Sequence, residues 1–303
     1  MLELDWTGRV VGSVSAQGFG GASPDGSRFL RAGDQVTVDD WRGRSLGRLD
    51  LDPTAYGLSS WAEDNSHLCG IVFPPNVGPD SGAGRLWVGA PGEKGRITGT
   101  VGQPGSDPAV AVCSVKNNRA IVAGGLMPHW PPGGGRYLIT SDIQVVNLTT
   151  GAIEYQHQYP LGNLGGQTEV GPRGDWVLVA ASPDGRYLAE SGVFNGSTLI
   201  RDASTGKQLA SLQGSVIGFG WDGSRIIANV GTGGSTEAQL LSWADQRVIW
   251  RASGVAQSTE ARPNSTDVLI TMSTAGGNSS DLLVVRGDGT SSTLVRNGSV
   301  VRP

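Results

Sequence analysis

The residue types that most often perform catalysis or bind metals are few in this chain, and they form no recognisable motif. Its three histidines, His67, His129 and His157, stand in separate contexts without the short spacings that ligate zinc. No Gly-x-Ser-x-Gly segment is present to hold a nucleophilic serine. We therefore predict no catalytic residue, no metal site and no bound cofactor, and we expect each histidine to be an ordinary hydrogen-bonded residue of a strand or loop.

The glycine-rich and acidic segments indicate turns and give no sign of an active site. Residues 218–223 match Gly-x-Gly-x-x-Gly, but they coincide with a hairpin turn and open no helix, so they do not predict a dinucleotide site. Most aspartates occupy turn positions, where the side chain bonds the nearby backbone. Several other acidic residues form no evident pair in the sequence, namely Asp64, Glu93, Glu154, Glu169, Glu190, Glu237 and Glu260.

The chain has two cysteines, Cys69 and Cys113, and both lie in apolar strand-like segments. They could be two small buried hydrophobic side chains, or they could form a disulfide. We favour the disulfide, because an even count with no third thiol is typical of proteins exported to an oxidising compartment. Neither cysteine has a nearby partner that would suggest a metal site.

Short apolar runs bounded by Gly, Pro, Asp, Asn and Ser predict that the chain is almost entirely β. Such runs occur, for example, at 120–123, 198–201 and 267–271. This punctuation is typical of strands joined by tight hairpins. No window combines a helical apolar stripe with helix caps, so we predict no substantial helix.

The turns between these strands are of two types that alternate along the chain. The first type has Asp-Gly, Asn-Asn or a related pair between two apolar strands, and its six copies begin at residues 23, 63, 116, 182, 221 and 263. The second type is centred on Gly or Asp-Gln, and its seven copies begin at residues 6, 41, 93, 149, 204, 244 and 287. Asp bonds its own backbone, while Gly or Asn accepts a positive φ, so each turn specifies a tight hairpin.

The repeat of these turns predicts a β-propeller. The second turn recurs about every 47 residues between Gly8 and Gly289, which is the length of a four-stranded propeller blade. We therefore predict an all-β propeller that occupies residues 1–303 as one domain. Seven copies of the second turn favour seven four-stranded blades, with the ring closed by strands from the N- and C-termini and with residues 298–301 as the closing strand. Six blades is the alternative.

The repeated sequence words resemble a known group of propellers. Ser-Pro-Asp-Gly-Arg-Tyr-Leu at 182–188 and Ser-Pro-Asp-Gly-Ser-Arg-Phe-Leu at 23–30 are accompanied by Asp-x-x-x-Gly words such as residues 202–206. These words resemble the blades of bacterial WD40-like and TolB-like β-propeller repeats over nearly the whole chain. The resemblance implies the architecture alone, because such blades serve unrelated functions.

Composition excludes some partners and suggests a location. The 23 basic and 27 acidic residues give a formal charge of −4, which provides no basic field for nucleic acid or an anionic membrane surface. No apolar run is long enough for a transmembrane helix, so we expect no membrane insertion. We expect a monomeric, exported bacterial protein (extracellular, cell-surface or periplasmic) whose signal or anchor is absent from this sequence.

Three insertions interrupt the regular repeat and provide the best candidates for function. Residues 124–135 place His129 and Trp130 among prolines and glycines, residues 160–169 contain Gln167 and Glu169, and residues 74–82 form a third. All three fall in blades two to four. Loops on a rigid scaffold often carry binding residues, and Trp is favoured at interfaces. Alternatively, Trp130 could plug a blade.

Two functions remain open from the sequence. The first is a non-catalytic binding or scaffold module that docks a protein or peptide through the insertions of blades two to four, with His129, Trp130, Gln167 and Glu169 as binding residues. The second is a propeller-type enzyme, such as a lyase, lactonase or dehydrogenase, with a metal or cofactor over the central channel. We favour the first, because scattered histidines do not predict a converging set of ligands.

Overall fold

The structure is a computed structural model of the chain, and it describes residues 2–13, 19–51, 59–73, 83–102, 107–125, 142–158, 161–164, 167–170, 177–192, 196–232, 235–273 and 280–298. Within these ranges no helix has the length and apolar character needed to cross a membrane.

In the described residues, six four-stranded antiparallel sheets form the blades, and the strands of each follow one another along the chain. Blade one contains β3 (Phe19–Ala22), β4 (Arg28–Arg31), β5 (Thr37–Asp40) and β6 (Ser45–Arg48), and blade two contains β7 (Ser60–Trp61), β8 (Leu68–Val72), β9 (Gly84–Gly89) and β10 (Arg96–Val101). Blade three contains β11 (Asp107–Ser114), β12 (Arg119–Gly125), β13 (Asp142–Asn147) and β14 (Ile153–Gln158). Blade four contains β17 (Val177–Ala181), β18 (Tyr187–Gly192), β19 (Ser197–Asp202) and β20 (Gln208–Gln213). Blade five contains β21 (Ser215–Phe219), β22 (Arg225–Thr232), β23 (Ser235–Ser242) and β24 (Arg247–Ser253), and blade six contains β25 (Ala256–Ala261), β26 (Val268–Ser273), β27 (Ser280–Val285) and β28 (Ser291–Gly298).

The described part of the chain also contains two hairpins outside the blades. β1 (Leu2–Leu4) pairs with β2 (Val10–Ser13), and β15 (Leu161–Leu164) pairs with β16 (Gln167–Val170). The first hairpin packs against blade six, where the guanidinium of Arg262 lies 5.2 Å from the ring centroid of Trp6. The second lies in the connection between blades three and four.

The prediction of seven blades closed by strands from both chain ends is wrong, because the structure has six four-stranded blades. In the described part of the chain, β1 and β2 form a separate two-stranded sheet. The prediction counted the second-type turn at Gly8, which belongs to this hairpin. A four-stranded blade also needs a first-type turn, and the sequence has six of those. Of the expected closing strand, Gly298 ends β28 and residues 299–301 lie outside the described residues.

The six first-type turns form where the sequence predicts them. Their left-handed position is held by Gly26, Gly185 and Gly223, with φ of 71°, 68° and 71°, and by asparagine in the other three turns. Those asparagines are Asn65, Asn118 and Asn264, with φ of 60°, 54° and 55°. Glycine has no Cβ penalty at positive φ, and asparagine tolerates it better than most residues.

The hydrophobic core lies between the blades. Five clusters of buried side chains fill the five junctions from blade one to blade six. On β22 the neighbouring residues Ile226 and Ile227 point to opposite sides, the first toward blade four and the second toward blade six. A blade is therefore buried on both faces, so its middle strands are continuous apolar runs.

The two ends of the strands define two faces of the propeller. The face that carries both types of tight turn is here called the turn face. The opposite face carries the connections between the second and third strands of each blade and the connections between blades, and is called the loop face.

Hydrogen bonds join the first-type turns of consecutive blades along the turn face. The five links are Asp25 N to Asn65 Oδ1 at 2.9 Å, Lys116 N to Glu63 Oε1 at 2.6 Å, Asn117 Nδ2 to the Asp184 carbonyl at 2.7 Å, Arg186 Nη2 to the Asp222 carbonyl at 2.9 Å, and Arg225 Nη1 to the Thr266 carbonyl at 3.4 Å. These bonds pair polar groups of each turn with groups of the next, so the turns on this face help to hold neighbouring blades together.

Candidate functional site

The three insertions fall between strands whose flanking ends lie on the loop face of blades two to four. Residues 74–82 join β8 to β9, residues 126–141 join β12 to β13, and residues 159–176 join β14 to β17. In an antiparallel meander, second-to-third connections and blade-to-blade connections leave from the same end of the strands. The topology therefore places the strand ends that flank the three insertions on one face.

The predicted binding residues fall in or beside parts of the chain that the structure leaves undescribed. His129 and Trp130 lie outside the described residues. Gln167 and Glu169 lie on β16, where the backbone of Glu169 is opposite Gly162 and that of Gln167 is opposite Leu164. The structure thus places these two residues on a hairpin of the loop face, and the roles of all four stay predictions.

The disulfide joins two of the blades that carry insertions. Cys69 on β8 and Cys113 on β11 are bonded, with Cα atoms 5.5 Å apart, and both are fully buried. Beside them, Ala62 and Cys113 form a parallel β-bridge between blades two and three. Of the two possibilities open from the sequence, the structure has the disulfide.

A buried polar cluster occupies the junction of blades three and four. The carboxylate of Glu190, whose side chain is 3% exposed, lies 3.0 Å from Nε of Arg201 and 3.2 Å from Nδ1 of His157. The hydroxyl of Tyr155 donates to the same carboxylate at 3.4 Å. We call these four residues the Glu190 cluster. Three different strands contribute to it, since Tyr155 and His157 lie on β14, Glu190 on β18 and Arg201 on β19.

The surroundings of Tyr155 explain how this cluster is held. Burial, together with the negative charge of Glu190, raises the pKa of Tyr155 to about 12. The phenol therefore remains a hydrogen-bond donor at neutral pH. Its ring packs directly on Gly206 in the second-type turn of blade four, where a Cβ would overlap the ring. A glycine at this turn thus allows the two blades to approach each other closely.

A second buried carboxylate lies on the other side of blade three. Asp142, at the start of β13, is 1% exposed and accepts hydrogen bonds from Nε2 of Gln144 at 3.0 Å and from Nε2 of Gln156 at 3.2 Å. Gln144 also accepts a bond from the backbone N–H of Gly102 in blade two at 3.0 Å. This network secures β13, the strand that follows the connection 126–141.

The remaining described histidine lies on the turn face. Nδ1 of His67 is 2.5 Å from Oδ2 of Asp64. Burial acts to raise the pKa of Asp64, but the backbone N–H groups of His67 and Ser66 outweigh it and lower the pKa to about 2. In the described part of the chain, no group of three or more His, Cys, Asp or Glu side chains is arranged to hold a metal ion.

Sequence reasoning missed the Glu190 cluster. Glu190 was one of several acidic residues without an evident pair, because Tyr155 and His157 are more than thirty positions earlier in the chain. The sequence does contain one sign of the cluster, which is the acidic Glu190 within the apolar strand segment that follows the turn at 182–186. A charged side chain in a buried strand requires a partner, although its identity depends on which blade lies alongside.

Comparisons with known proteins identify similar structures at low sequence identity. The Cps50 (Swd1) β-propeller domain of Myceliophteria thermophila has 11% identity and a TM-score of 0.48, with 87% of this chain and 83% of that chain covered. TolB from Acinetobacter baumannii has 14% identity and a TM-score of 0.47, and the match covers 89% of this chain and 61% of that chain. Hsv2 of Kluyveromyces lactis has 11% identity and a TM-score of 0.44, and the match covers 89% of this chain and 78% of that chain. No protein-family model and no curated protein matches the sequence. The resemblance to WD40-like and TolB propellers is thus confirmed as a likeness of structure.

Proposed function

We propose that this chain is a non-catalytic binding module that docks a protein or peptide partner on the loop face over blades two to four. The observation that carries the proposal is that the strand ends flanking the three insertions lie on the same face of blades two, three and four. The turn face is less suited to a partner, because its turns bond to one another from blade to blade. Rigid scaffolds that present variable loops commonly serve recognition.

The supports beneath this face favour a preorganised surface. The disulfide cross-links blades two and three, and the Glu190 cluster joins blades three and four. Loops anchored on rigid neighbours lose less conformational entropy when a partner binds. His129 and Trp130 are the expected contacts in the insertion between β12 and β13, and Gln167 and Glu169 are those expected on β16.

The disulfide also favours an oxidising location. Disulfides persist mainly in secreted, periplasmic or cell-surface proteins. We therefore propose that the chain functions after export, as a monomer whose partner shares that compartment.

Affinity capture with matched variants tests the proposed function. The immobilised chain is compared with a Trp130→Ala, His129→Ala double variant and with an Arg42→Ala, Arg44→Ala control on the turn face, where both arginines are exposed. We expect a partner that binds the control and does not bind the loop-face variant. Direct titration of the purified partner should likewise give a higher affinity for the control than for the loop-face variant. A partner lost by the control and retained by the loop-face variant would contradict the proposal.

A further inference from the structure

We propose that the N-terminal hairpin binds an extended strand of a partner chain along the edge of β1 that faces away from β2. The segment that fits this edge is a tight Asp-Gly or Asn turn followed by an apolar strand. The hairpin packs on blade six, whereas the insertions belong to blades two to four. The inference therefore goes beyond the proposed function and does not depend on it.

The hairpin has the same turn as the outer two strands of blade one. Within the hairpin, the carboxylate of Asp5 lies 3.3 Å from Nε of Arg9. Within blade one, the carboxylate of Asp40 lies 3.3 Å from Nε of Arg44. In both turns the aspartate carbonyl also accepts the backbone N–H of the glycine three positions later. β1 therefore corresponds to β5, the third strand of blade one, and β2 corresponds to β6.

The hairpin packs on blade six as the outer half of blade six packs on blade five. A Cβ at Gly8 would lie 3.3 Å from Cδ2 of Leu294 on β28, the outer strand of blade six. A Cβ at Gly289 would likewise meet the carbonyl of Ile249 on β24, the outer strand of blade five. The hairpin is thus held in the orientation that the third and fourth strands of a blade adopt.

The two edges of the third strand differ between the hairpin and a blade. β5 pairs with β4 on its inner side and with β6 on its outer side. In the described part of the chain, β1 pairs with β2 alone. A strand edge without a neighbour presents backbone N–H and C=O groups that an added strand can pair with.

The tryptophan that follows the third strand shows the same difference. Nε1 of Trp41 in blade one donates to the carbonyl of Gly26, and Nε1 of Trp243 in blade five donates to that of Gly223 at 2.7 Å. Both acceptors lie in the first-type turn that precedes the second strand. Trp6 stands two residues before its turn glycine, as Trp41 does, but its indole N–H has no acceptor among the described residues.

These observations define the segment that fits the edge. A first-type turn brings a backbone carbonyl to Nε1 of Trp6, and the strand after that turn runs antiparallel to β1. The second strands of the blades contain apolar runs such as residues 226–228, so the added strand is apolar as well. Residues 299–303 continue from the loop-face end of β28. A strand built from them would run parallel to β1, so the antiparallel position is open to another chain.

A peptide taken from blade one tests the inference. The probe is capped residues 23–31, which contain the first-type turn and the strand β4 that pairs with β5. The control peptide carries Phe29→Pro and Leu30→Pro. Because the N–H groups of neighbouring strand residues point to opposite edges, one of these prolines removes a donor from the pairing edge.

Nitrogen–proton NMR of the indole groups follows the nine tryptophans of the chain. We expect the probe to shift the Trp6 signal, which is assigned from its loss in Trp6→Phe, and the proline peptide to leave it in place. Equal shifts with the two peptides, or no shift of the Trp6 signal at about 1 mM probe, would overturn the inference.

Two variants of the full chain complete the test. Trp6→Phe keeps an aromatic ring and removes the indole donor, so the affinity for the probe should fall about fivefold. Trp221→Phe changes a tryptophan in the first-type turn of blade five and should leave that affinity unchanged. Melting curves show whether each variant is folded. Equal affinity of Trp6→Phe and wild type would overturn the inference.

Two other occupants of the edge are distinguished by further outcomes. If the probe binds only after residues 299–303 are deleted, that segment occupies the edge in the full chain and the inference is wrong. If the chain sediments as a dimer that Trp6→Phe dissociates, a second copy is the occupant and the inference is wrong as well. We expect the full chain to sediment as a monomer and to bind the probe.

Discussion

A pair of glycine substitutions measures how strongly the turns of one blade determine its distance from the next. Gly151 and Gly43 both have a positive φ, of 71° and 76°, in the second-type turns of blades three and one. A Cβ at Gly151 would overlap the carbonyl oxygen of Thr98 in blade two, whereas a Cβ at Gly43 would meet no atom within 4 Å. The two sites therefore share a backbone conformation and differ in their surroundings.

The expected loss of stability follows from the positive φ and from the surroundings of each glycine. An alanine at left-handed φ costs about 1–2 kcal/mol at either site. At Gly151 the methyl group must also displace the backbone of the outer strand of blade two, and overpacking of this kind costs about 1–3 kcal/mol. We expect Gly43→Ala to lower the free energy of unfolding by about 1–2 kcal/mol and Gly151→Ala by about 2–5 kcal/mol.

Urea unfolding followed by tryptophan fluorescence provides the measurement. The midpoint should fall further for Gly151→Ala at an unchanged slope, because the loss arises in the folded state. Equal losses for the two variants would refute the reasoning, since they would show that backbone strain alone accounts for the effect. A larger loss for Gly43→Ala would refute it as well.

The other predictions concern the disulfide and one carboxylate. Cys69 and Cys113 are 44 positions apart in the sequence. The double variant Cys69→Ala, Cys113→Ala should therefore lower the free energy of unfolding by about 4 kcal/mol. Cysteine thiols that react in the native, unreduced protein would contradict the disulfide. The lowered pKa of Asp64, about 2, means that its carboxylate stabilises the fold above its unfolded pKa of about 3.9 and ceases to do so as pH falls through about 2. Asp64→Asn should therefore lower the urea midpoint at pH 7, and its difference from the wild type should shrink between pH 4 and pH 2. As a control, Asp34→Asn changes an exposed side chain outside this turn and should leave the urea midpoint at pH 7 unchanged.

Local turn chemistry was predictable from the sequence because it depends on neighbouring residues. The Asp-Gly pair at 25–26 forms the expected hairpin, and Asp25 accepts the backbone N–H of Ser27 at 2.9 Å. The same bond recurs from Ser224 to Asp222 at 3.0 Å. Such contacts join residues two positions apart, so a short sequence word contains all the atoms involved.

The place of the N-terminal hairpin and the partners of the Glu190 cluster were not predictable in the same way. Gly8 lies in a second-type turn like the others, but its hairpin remains a separate sheet, and nothing within residues 5–9 distinguishes the two outcomes. Glu190 likewise shows its charge in the sequence without its partners. Both properties depend on contacts between segments that are distant along the chain.

The sequence by itself determined the all-β class, the four-stranded repeat and the positions of the six first-type turns, because each of these follows from side chains that act on their own backbone. It also located the three insertions. The tertiary structure decided that the blades number six, that Cys69 meets Cys113, and that His157 lies against Glu190. These depend on which blades lie side by side, and blade packing is set by the summed fit of buried surfaces across the whole ring.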